Sequence, residues 1–399
     1  MSEMELHTIT ENKSELKKSL IEVRRNLHAE PELSNEEVKT TNKIKKWLEN
    51  AGISILDLPL KTGVIGEIIG ESAGPIIAIR ADIDALPIQE EAISPFQSNV
   101  AGVMHACGHD FHTAVIIGAA YLLKNRQSRL KGTVRIIFQP AEETGHGAKS
   151  ILATSGLNDV QAIFGLHNDP HSKVGVLGVK EGVLTAGVDR FEIKITGKGS
   201  HAARPHEGID PIVIAAEIIT RLQTIVSRAI KPSESIVISV TQIHGGNTWN
   251  VLPETVYLEG TVRTLKEEIR EAIPGKIEKV VKGITDTYGA KGILEWHPGP
   301  PSVENDPEWT RFSKHIAAQN GYQVVEVEPS SGGEDFAFYQ QKIRGTFVNV
   351  GVSGEYGLHH PKYTLNEEAI VPAAYYFADL AEQAIIKLLS DRDSSDANA

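Results

Sequence analysis

One cysteine in 399 residues leaves no partner for an intrachain disulfide. A disulfide framework is excluded, and the sequence therefore predicts a cytoplasmic protein. An excess of positive charge is missing too: 40 Lys and Arg stand against 52 Asp and Glu, for a formal net charge of −12. That balance speaks against nucleic acid or an anionic membrane as partner, since either selects basic patches. No apolar run is long enough to span a bilayer, and residues 1–18, MSEMELHTITENKSELKK, carry no apolar core of signal-peptide length. Repeats and low-complexity tracts are lacking. Residues 390–399, SDRDSSDANA, are polar and predict a disordered tail. What remains, with 41% hydrophobic and 23% charged residues, is an ordinary globular composition with room for two or three domains.

The lone cysteine lies in the most informative stretch of the chain, MHACGHDFH at residues 104–112, together with three histidines and an aspartate. Cys107 and His109 stand two apart, within reach of one ion from a turn or an extended segment. A thiol beside a neutral imidazole is what a transition metal selects. The plain alternative is a surface loop that happens to be rich in histidine.

Read in order, the chain alternates helices and strands. Leu16, Leu20, Val23 and Leu27 recur at helical spacing, which predicts a helix over residues 14–28. Ser34 is placed to cap a second helix that carries Ile44, Trp47 and Leu48 and stops at Gly52. Three apolar runs follow as strands: PIIAIRAD from Pro75, TVRIIFQ from Thr133 and AIFGL from Ala162. They run into Asp82 and Asp84, into Glu142 and Glu143, and into His167. Ligand crevices in open α/β sheets lie outside the carboxyl ends of the strands. Three strands that all end on metal-ligating residue types therefore point to a site. A buried helix is predicted over residues 113–123.

Near Gly187 the pattern changes to strict alternation of apolar and polar residues, the mark of half-buried antiparallel strands. Residues 187–297 read β-α-β-β-α-β, a ferredoxin-like α+β unit inserted into the first domain. Residues 1–186 and 298–399 then form one discontinuous α/β domain with a central, mostly parallel sheet flanked by helices. A last helix is predicted over residues 367–389, after a loop with His359 and His360.

Cys107, His109, Glu142, Glu143, His167 and one of His359 and His360 are too many donors for one tetrahedral ion with an open position. They suit two ions a few Å apart, able to polarise a carbonyl and to supply hydroxide near neutral pH. In the vicinal glutamate pair, one carboxylate can bind metal while the other works as general base. Each residue also has a bland role. The pair can sit solvated at a helix start, His167 can be structural, and Cys107 can be an inert buried thiol.

With these residues the chain resembles the metal-dependent aminoacylase and carboxypeptidase amidohydrolases, in the N-acyl amino acid amidohydrolase branch with hippurate hydrolase and the auxin-conjugate hydrolases. RADIDALPIQE, MHACGHDFHTA, FQPAEE, GKGSHAARPHEGIDP, NVLPETVYLEGTVRT and GGEDFAFY carry the resemblance, in the family's order. It implies a zinc-exopeptidase-like catalytic domain with a lid that also serves dimerisation. It further implies two divalent ions (Zn, Mn, Co or Ni) on Cys107, His109, Glu143, His167 and His359, with Cys107 bridging as thiolate. Glu142 becomes the general base and Asp84 supports the site. Where the wider family has a histidine ligand this chain has Asp82, whose role the resemblance leaves open.

In the lid, His201 resembles a histidine that reaches into the facing subunit of a homodimer to stabilise the oxyanion, and Asn250 and Arg263 resemble a substrate-binding pair. Arginine suits an α-carboxylate through its planar fork, against the alternative of a surface ion pair. The expected reaction is hydrolysis of an N-acyl-L-amino acid. The rivals are a dipeptidase or carboxypeptidase on the same fold, a metal-free cysteine hydrolase using Cys107 and His109, and a non-catalytic binding protein. His105, Asp110 and His112 are expected to orient the ligands or cap the following helix.

Overall fold

The computed structural model describes residues 12–396, with side chains to 393, and divides into two compact units. Among the described residues, no helix is long and apolar enough to cross a membrane. Residues 1–11 and 397–399, including part of the expected disordered tail, lie outside the described residues.

The first unit comprises Met1–Gly182, Glu304–Glu328 and Asp335–Ala399. Its eight-stranded sheet has four parallel strands at the centre: Thr133–Gln139, Ile76–Asp82, Ala162–Asp169 and Gly345–Gly351. Ile76–Asp82 is buried almost throughout, as a strand covered on both faces must be. Toward one edge Val64–Ile69 and Ser54–Ile55 pair antiparallel, and beyond the other side of the centre Val176–Gly178 runs antiparallel to Gly345–Gly351. The sheet is thus mixed: its site-bearing centre is parallel, and a short parallel pair, Gln323–Val325 on Val176–Gly178, closes the far edge. The carboxyl ends of the central strands bring Asp82, the segment after Gln139 and His167 to one edge of the sheet.

Helices Lys13–Ala29, His109–Asn125 and Ile370–Asp396 pack on one another, and the last two also pack on Ile76–Asp82. His109–Asn125 is buried over almost its whole length, the behaviour expected of a helix that is apolar all round. Gly118 allows the close approach, since a β-carbon there would lie 2.5 Å from Leu20 Cδ1 and 2.7 Å from Ala374 Cβ.

Two local expectations are corrected. Ser34 caps nothing: the helix begins at Val38 with Glu37 at its N-cap, while the Ser34 hydroxyl donates to Asp84 Oδ2 at 2.7 Å. Residues 390–396 are helical, because the last helix propagates through Asp396, helped by an i,i+4 ion pair of 2.8 Å between Lys387 and Asp391.

Glu37 itself is fully buried. Its Oε1 accepts from the backbone N–H of Asn35 (2.9 Å) and Ala141 (2.8 Å), and its Oε2 has no partner. Burial raises its pKa above the ordinary 4.5, outweighing the N–H donors. The native state then holds this proton more tightly than the unfolded chain. Its stabilising effect is complete below the ordinary value and is lost as pH rises through the raised one. The change in urea midpoint from pH 4.5 to pH 7 should therefore be more positive in Glu37→Gln than in the parent; an identical pH dependence in both proteins would contradict this.

The second unit comprises Val183–Val303 and Pro329–Glu334. Its antiparallel sheet runs Ile236–Gly245, Thr255–Thr264, Gly187–Thr196, Lys291–Pro298. Burial alternates along Gly187–Thr196, and Phe191, Ile193 and Ile195 pack with Ile214 and Ile218 of helix Pro211–Thr224 and Ile277 of helix Glu267–Tyr288. Asp210 caps the first of these helices by accepting from Ile212 N at 2.9 Å. The second continues unbroken past Pro274.

Candidate metal centre

Cys107 and His109 straddle a helix start instead of lying in a loop. Gly108 is the N-cap of His109–Asn125 and is left-handed, with φ 81°. No other residue fits, because a β-carbon would lie 2.5 Å from Asn168 Nδ2 and 2.7 Å from the Tyr363 hydroxyl. Those two groups hold the turn: Asn168 Nδ2 donates to the Cys107 carbonyl at 2.6 Å, and Tyr363 donates to Asn168 Oδ1 at 2.5 Å.

Three imidazoles near this turn have a definite hydrogen-bond state, whereas buried His105 makes no hydrogen bond with either ring nitrogen among the described residues. His109 Nδ1 donates to Asp84 Oδ1 at 3.1 Å, which leaves Nε2 3.8 Å from Glu143 Oε1; Nε2 is buried and makes no hydrogen bond among the described residues. His167 Nδ1 donates to the Asn168 carbonyl at 2.8 Å, leaving Nε2 at 3.4 Å from Cys107 Sγ. His112 has spent both nitrogens: Nδ1 donates to Asp82 Oδ1 at 2.6 Å and Nε2 accepts from Asn168 N at 2.9 Å. Burial pushes His112 down to about 4, so it is neutral and offers no spare donor. Asp82 is spent in the same way, since its Oδ2 accepts from Arg80 Nη1 at 2.7 Å. The aspartate whose role the sequence left open thus braces His112 and neutralises a buried arginine.

The glutamate pair sits on a 3-10 turn, Glu142–Thr144, that follows a left-handed Ala141 (φ 54°). Buried carboxylates fasten this turn: Glu37 takes the Ala141 N–H, and Asp84 Oδ2 takes the Glu143 N–H at 3.0 Å. Glu143 Oε1 is buried, lacks a hydrogen-bond partner, and lies 3.8 Å from His109 Nε2 and 3.4 Å from His359 Nε2. His359 has φ 62°, an uncommon backbone for a residue other than glycine, and its N–H is held by the Ala106 carbonyl at 2.9 Å. His360 lies stacked on Tyr356, with ring centroids 4.5 Å apart, and its Nδ1 accepts from Lys362 N.

The donor groups whose atoms lie within 4.8 Å of one another include three here whose donors Arg80 and Asn168 do not consume: Cys107, His109 and His167; Cys107, Glu143 and His359; His109, Glu142 and Glu143. A further one, Asp82, His109 and His112, is made of two such consumed residues and His109. Cys107 belongs to two of the first three and Glu143 to two. Burial and the Glu143 charge raise the Cys107 thiol well above its usual range. Burial alone would lower His109, but the Asp82 charge and the Asp84 hydrogen bond raise it well above the usual histidine value. Burial alone would raise Glu143, but His359 and His109 hold it low. Carboxylates, imidazoles and a thiol meet here, a donor set that fits borderline divalent cations once the imidazoles and the thiol give up their protons. Metal entry would displace the thiol proton.

The expected lid residues all belong to the second unit. His201 is exposed on a short strand, opposite Val251, and its Nδ1 accepts from Ala203 N at 3.0 Å. Asn250 is beside it, its carbonyl accepting from Ala202 N at 3.0 Å. Arg263, half-buried on Thr255–Thr264, has no ion pair among the described residues. The nearby acid, Asp189, is held by both arms of Arg270 at 2.9 and 2.8 Å. Sequence reasoning missed Arg24 and His28, one helical turn apart, which both donate to Asp110 Oδ2 at 2.9 Å; their i,i+4 spacing was the available signal. It also missed Asn168 and Asp335, for which residue type gave no signal.

The model of peptidase family M20/M25/M40 matches residues 78–383. The chain belongs to that family. It is a metal-dependent amidohydrolase. An N-acetylcysteine deacetylase of Bacillus subtilis (strain 168) is 55% identical over 363 residues, covering 91% of this chain and 96% of the relative. An N-acetyl-L-cysteine deacetylase of the same strain is 48% identical over 374 residues, covering 94% and 90%. Among solved structures, the Bacillus subtilis YXEP protein, a dinuclear metal binding peptidase from the M20 family, superposes with a TM-score of 0.85 at 52% identity. That match covers 93% of this chain and 99% of the other.

Proposed function

We propose that this protein hydrolyses the amide bond of N-acyl-L-amino acids, releasing a carboxylate and a free amino acid, with Glu142 as general base. The observation that carries the reading is the meeting of two buried donor atoms, His109 Nε2 and Glu143 Oε1 at 3.8 Å, with Cys107, His167 and His359 around them. The names of the two deacetylase relatives supply the substrate class. Two divalent ions on Cys107, His109, Glu143, His167 and His359 would polarise the scissile carbonyl and lower the pKa of water. Glu142 takes a proton from the water that attacks the carbonyl carbon, and returns it to the nitrogen as the C–N bond breaks. Asp84 orients His109 through Nδ1. Arg263, a half-buried guanidinium without a protein acid, is assigned to the substrate carboxylate, Asn250 to substrate binding, and His201 to the oxyanion in the facing subunit of a homodimer.

The cysteine-hydrolase rival is disfavoured because a thiol raised by burial and an adjacent carboxylate is a poor nucleophile. The test is a panel of N-acetyl-L-cysteine, other N-acetyl and N-benzoyl amino acids, and dipeptides, assayed with Zn, Mn, Co or Ni supplied separately. N-acyl amino acids should exceed dipeptides in kcat/KM by about 100-fold, as a site built around one acyl-amide geometry discriminates. Dipeptides turned over faster would favour the peptidase, and full activity in EDTA would favour the thiol.

A further inference from the structure

One buried carboxylate next to the glutamate turn, that of Asp335, has several polar partners, and the proposed reaction makes no use of it. Asp335 is fully buried. Its Oδ1 accepts from Arg80 Nη2 at 2.9 Å and from Gln139 Nε2 at 2.8 Å; its Oδ2 accepts from Gln139 Nε2 at 2.9 Å and from Ala148 N at 2.9 Å. Arg80 has no exposed surface either, and its Nε donates to Gln139 Oε1 at 2.9 Å, which also accepts from the Tyr339 hydroxyl at 2.9 Å. The carboxylate of Asp335 is therefore spent entirely inside the protein and has no capacity left for a metal ion or a substrate.

The placement of those partners gives the carboxylate a task. Gln139 ends the strand Thr133–Gln139, and Ala148 lies in the first turn of helix Gly147–Leu152. Between them run the residues that carry Glu142 and Glu143. Asp335 thus grips both ends of the segment that presents the glutamate pair. In between, its own backbone N–H donates to Glu142 Oε1 at 3.3 Å. One residue fixes where the turn starts, where it ends and how one carboxylate on it is aimed. The Arg80 charge, shared by Asp82 and Asp335, anchors this grip to the strand Ile76–Asp82.

We propose that Asp335 is a positioning residue for the hydrolytic reaction, holding the Glu142 carboxylate where it can take the proton of the attacking water. This rests on the reading of Glu142 as general base. Asp335 acts through Glu142 alone, so its effect must vanish when Glu142 can no longer accept a proton.

The test is a double-mutant cycle on the metal-loaded protein, with N-acetyl-L-cysteine as substrate and bound metal measured on each variant. Asp335→Asn keeps the backbone N–H and the shape but turns an acceptor of several donors into a group that clashes with one of them. It should lower kcat by about 100-fold with KM nearly unchanged, as a small misplacement of a reacting group does, and the metal content should equal the parent's. In a Glu142→Gln background the same change should not lower the residual kcat further. Gln139→Met, which removes one grip and leaves the Arg80–Asp335 pair intact, should show a weaker version of the same pattern and serves if Asp335→Asn does not fold. Loss of metal, a rise in KM in place of a fall in kcat, or losses that multiply in the double variant would overturn the role of Asp335. Parental turnover in Glu142→Gln alone would overturn the general-base reading and this inference with it, whereas a full loss there beside parental kcat in the Asp335 variants would overturn this inference only.

Discussion

Glu142→Gln should lower kcat by roughly three orders of magnitude, in the upper part of what a positioned general base contributes, while the protein folds and binds metal as before. Glutamine keeps an oxygen where Glu142 accepts from Asp335 N, so the turn keeps its hydrogen bond. What disappears is a group able to take a proton from water and pass it to the leaving nitrogen. Glu142 stands in one donor triplet, with His109 and Glu143, but the neighbouring triplets that share Cys107 do without it. Bound metal should therefore survive. Steady-state kinetics with a metal assay on the same preparation checks both halves; a variant that turns over like the parent, or that has lost its metal, would refute the assignment.

Glu143→Ala should fail differently. Glu143 Oε1 lies within reach of His109 Nε2 and His359 Nε2 and has no hydrogen bond of its own, so its removal deletes a donor common to two triplets. Bound metal should fall below the parent's content. A ligand present at 1,000 times its dissociation constant stabilises the fold by about 4 kcal/mol. The rise in Tm on adding Zn or Mn should accordingly shrink or vanish in Glu143→Ala, and the purified variant should be inactive. Unchanged metal content would remove Glu143 from the ligand set. Together the two substitutions separate neighbours one peptide apart: one loses chemistry and keeps metal, the other loses metal.

The strands that carry the site were legible because each is an apolar run that stops at an acid or a histidine. The mixed character of the sheet was not, since pairing direction depends on partners far along the chain, as with Val176–Gly178 against Gly345–Gly351. Residue type could not tell a spare donor from a spent one. His112 looks as good a ligand as His109, until Asn168 and Asp82 are seen to consume it. Ser34 was a fair cap by type, but its hydroxyl is taken by Asp84, 50 residues on. The choice between His359 and His360 rested on resemblance; the structure distinguishes them by an unusual backbone angle at His359 and a stack on Tyr356 at His360. Asp335 was invisible because its meaning lies in Gln139 and Ala148, nearly 200 residues earlier.

The interruption of the first unit has a consequence for how the chain is made. It leaves that unit at Gly182 and rejoins it at Glu304. The strand Ala162–Asp169 pairs along one edge with Gly345–Gly351, and His359 comes later still. At ordinary elongation rates the nascent strand waits roughly ten to thirty seconds for that partner. During this interval an apolar edge ending at His167 is uncovered on the ribosome, open to pairing with other chains. Most of the donor set is already synthesised, but His359 is not. With His359 in the proposed ligand set, completion of the site follows synthesis of the carboxyl-terminal part of the chain, and the proposed metal capture becomes a late event, set by the order of synthesis as well as by affinity.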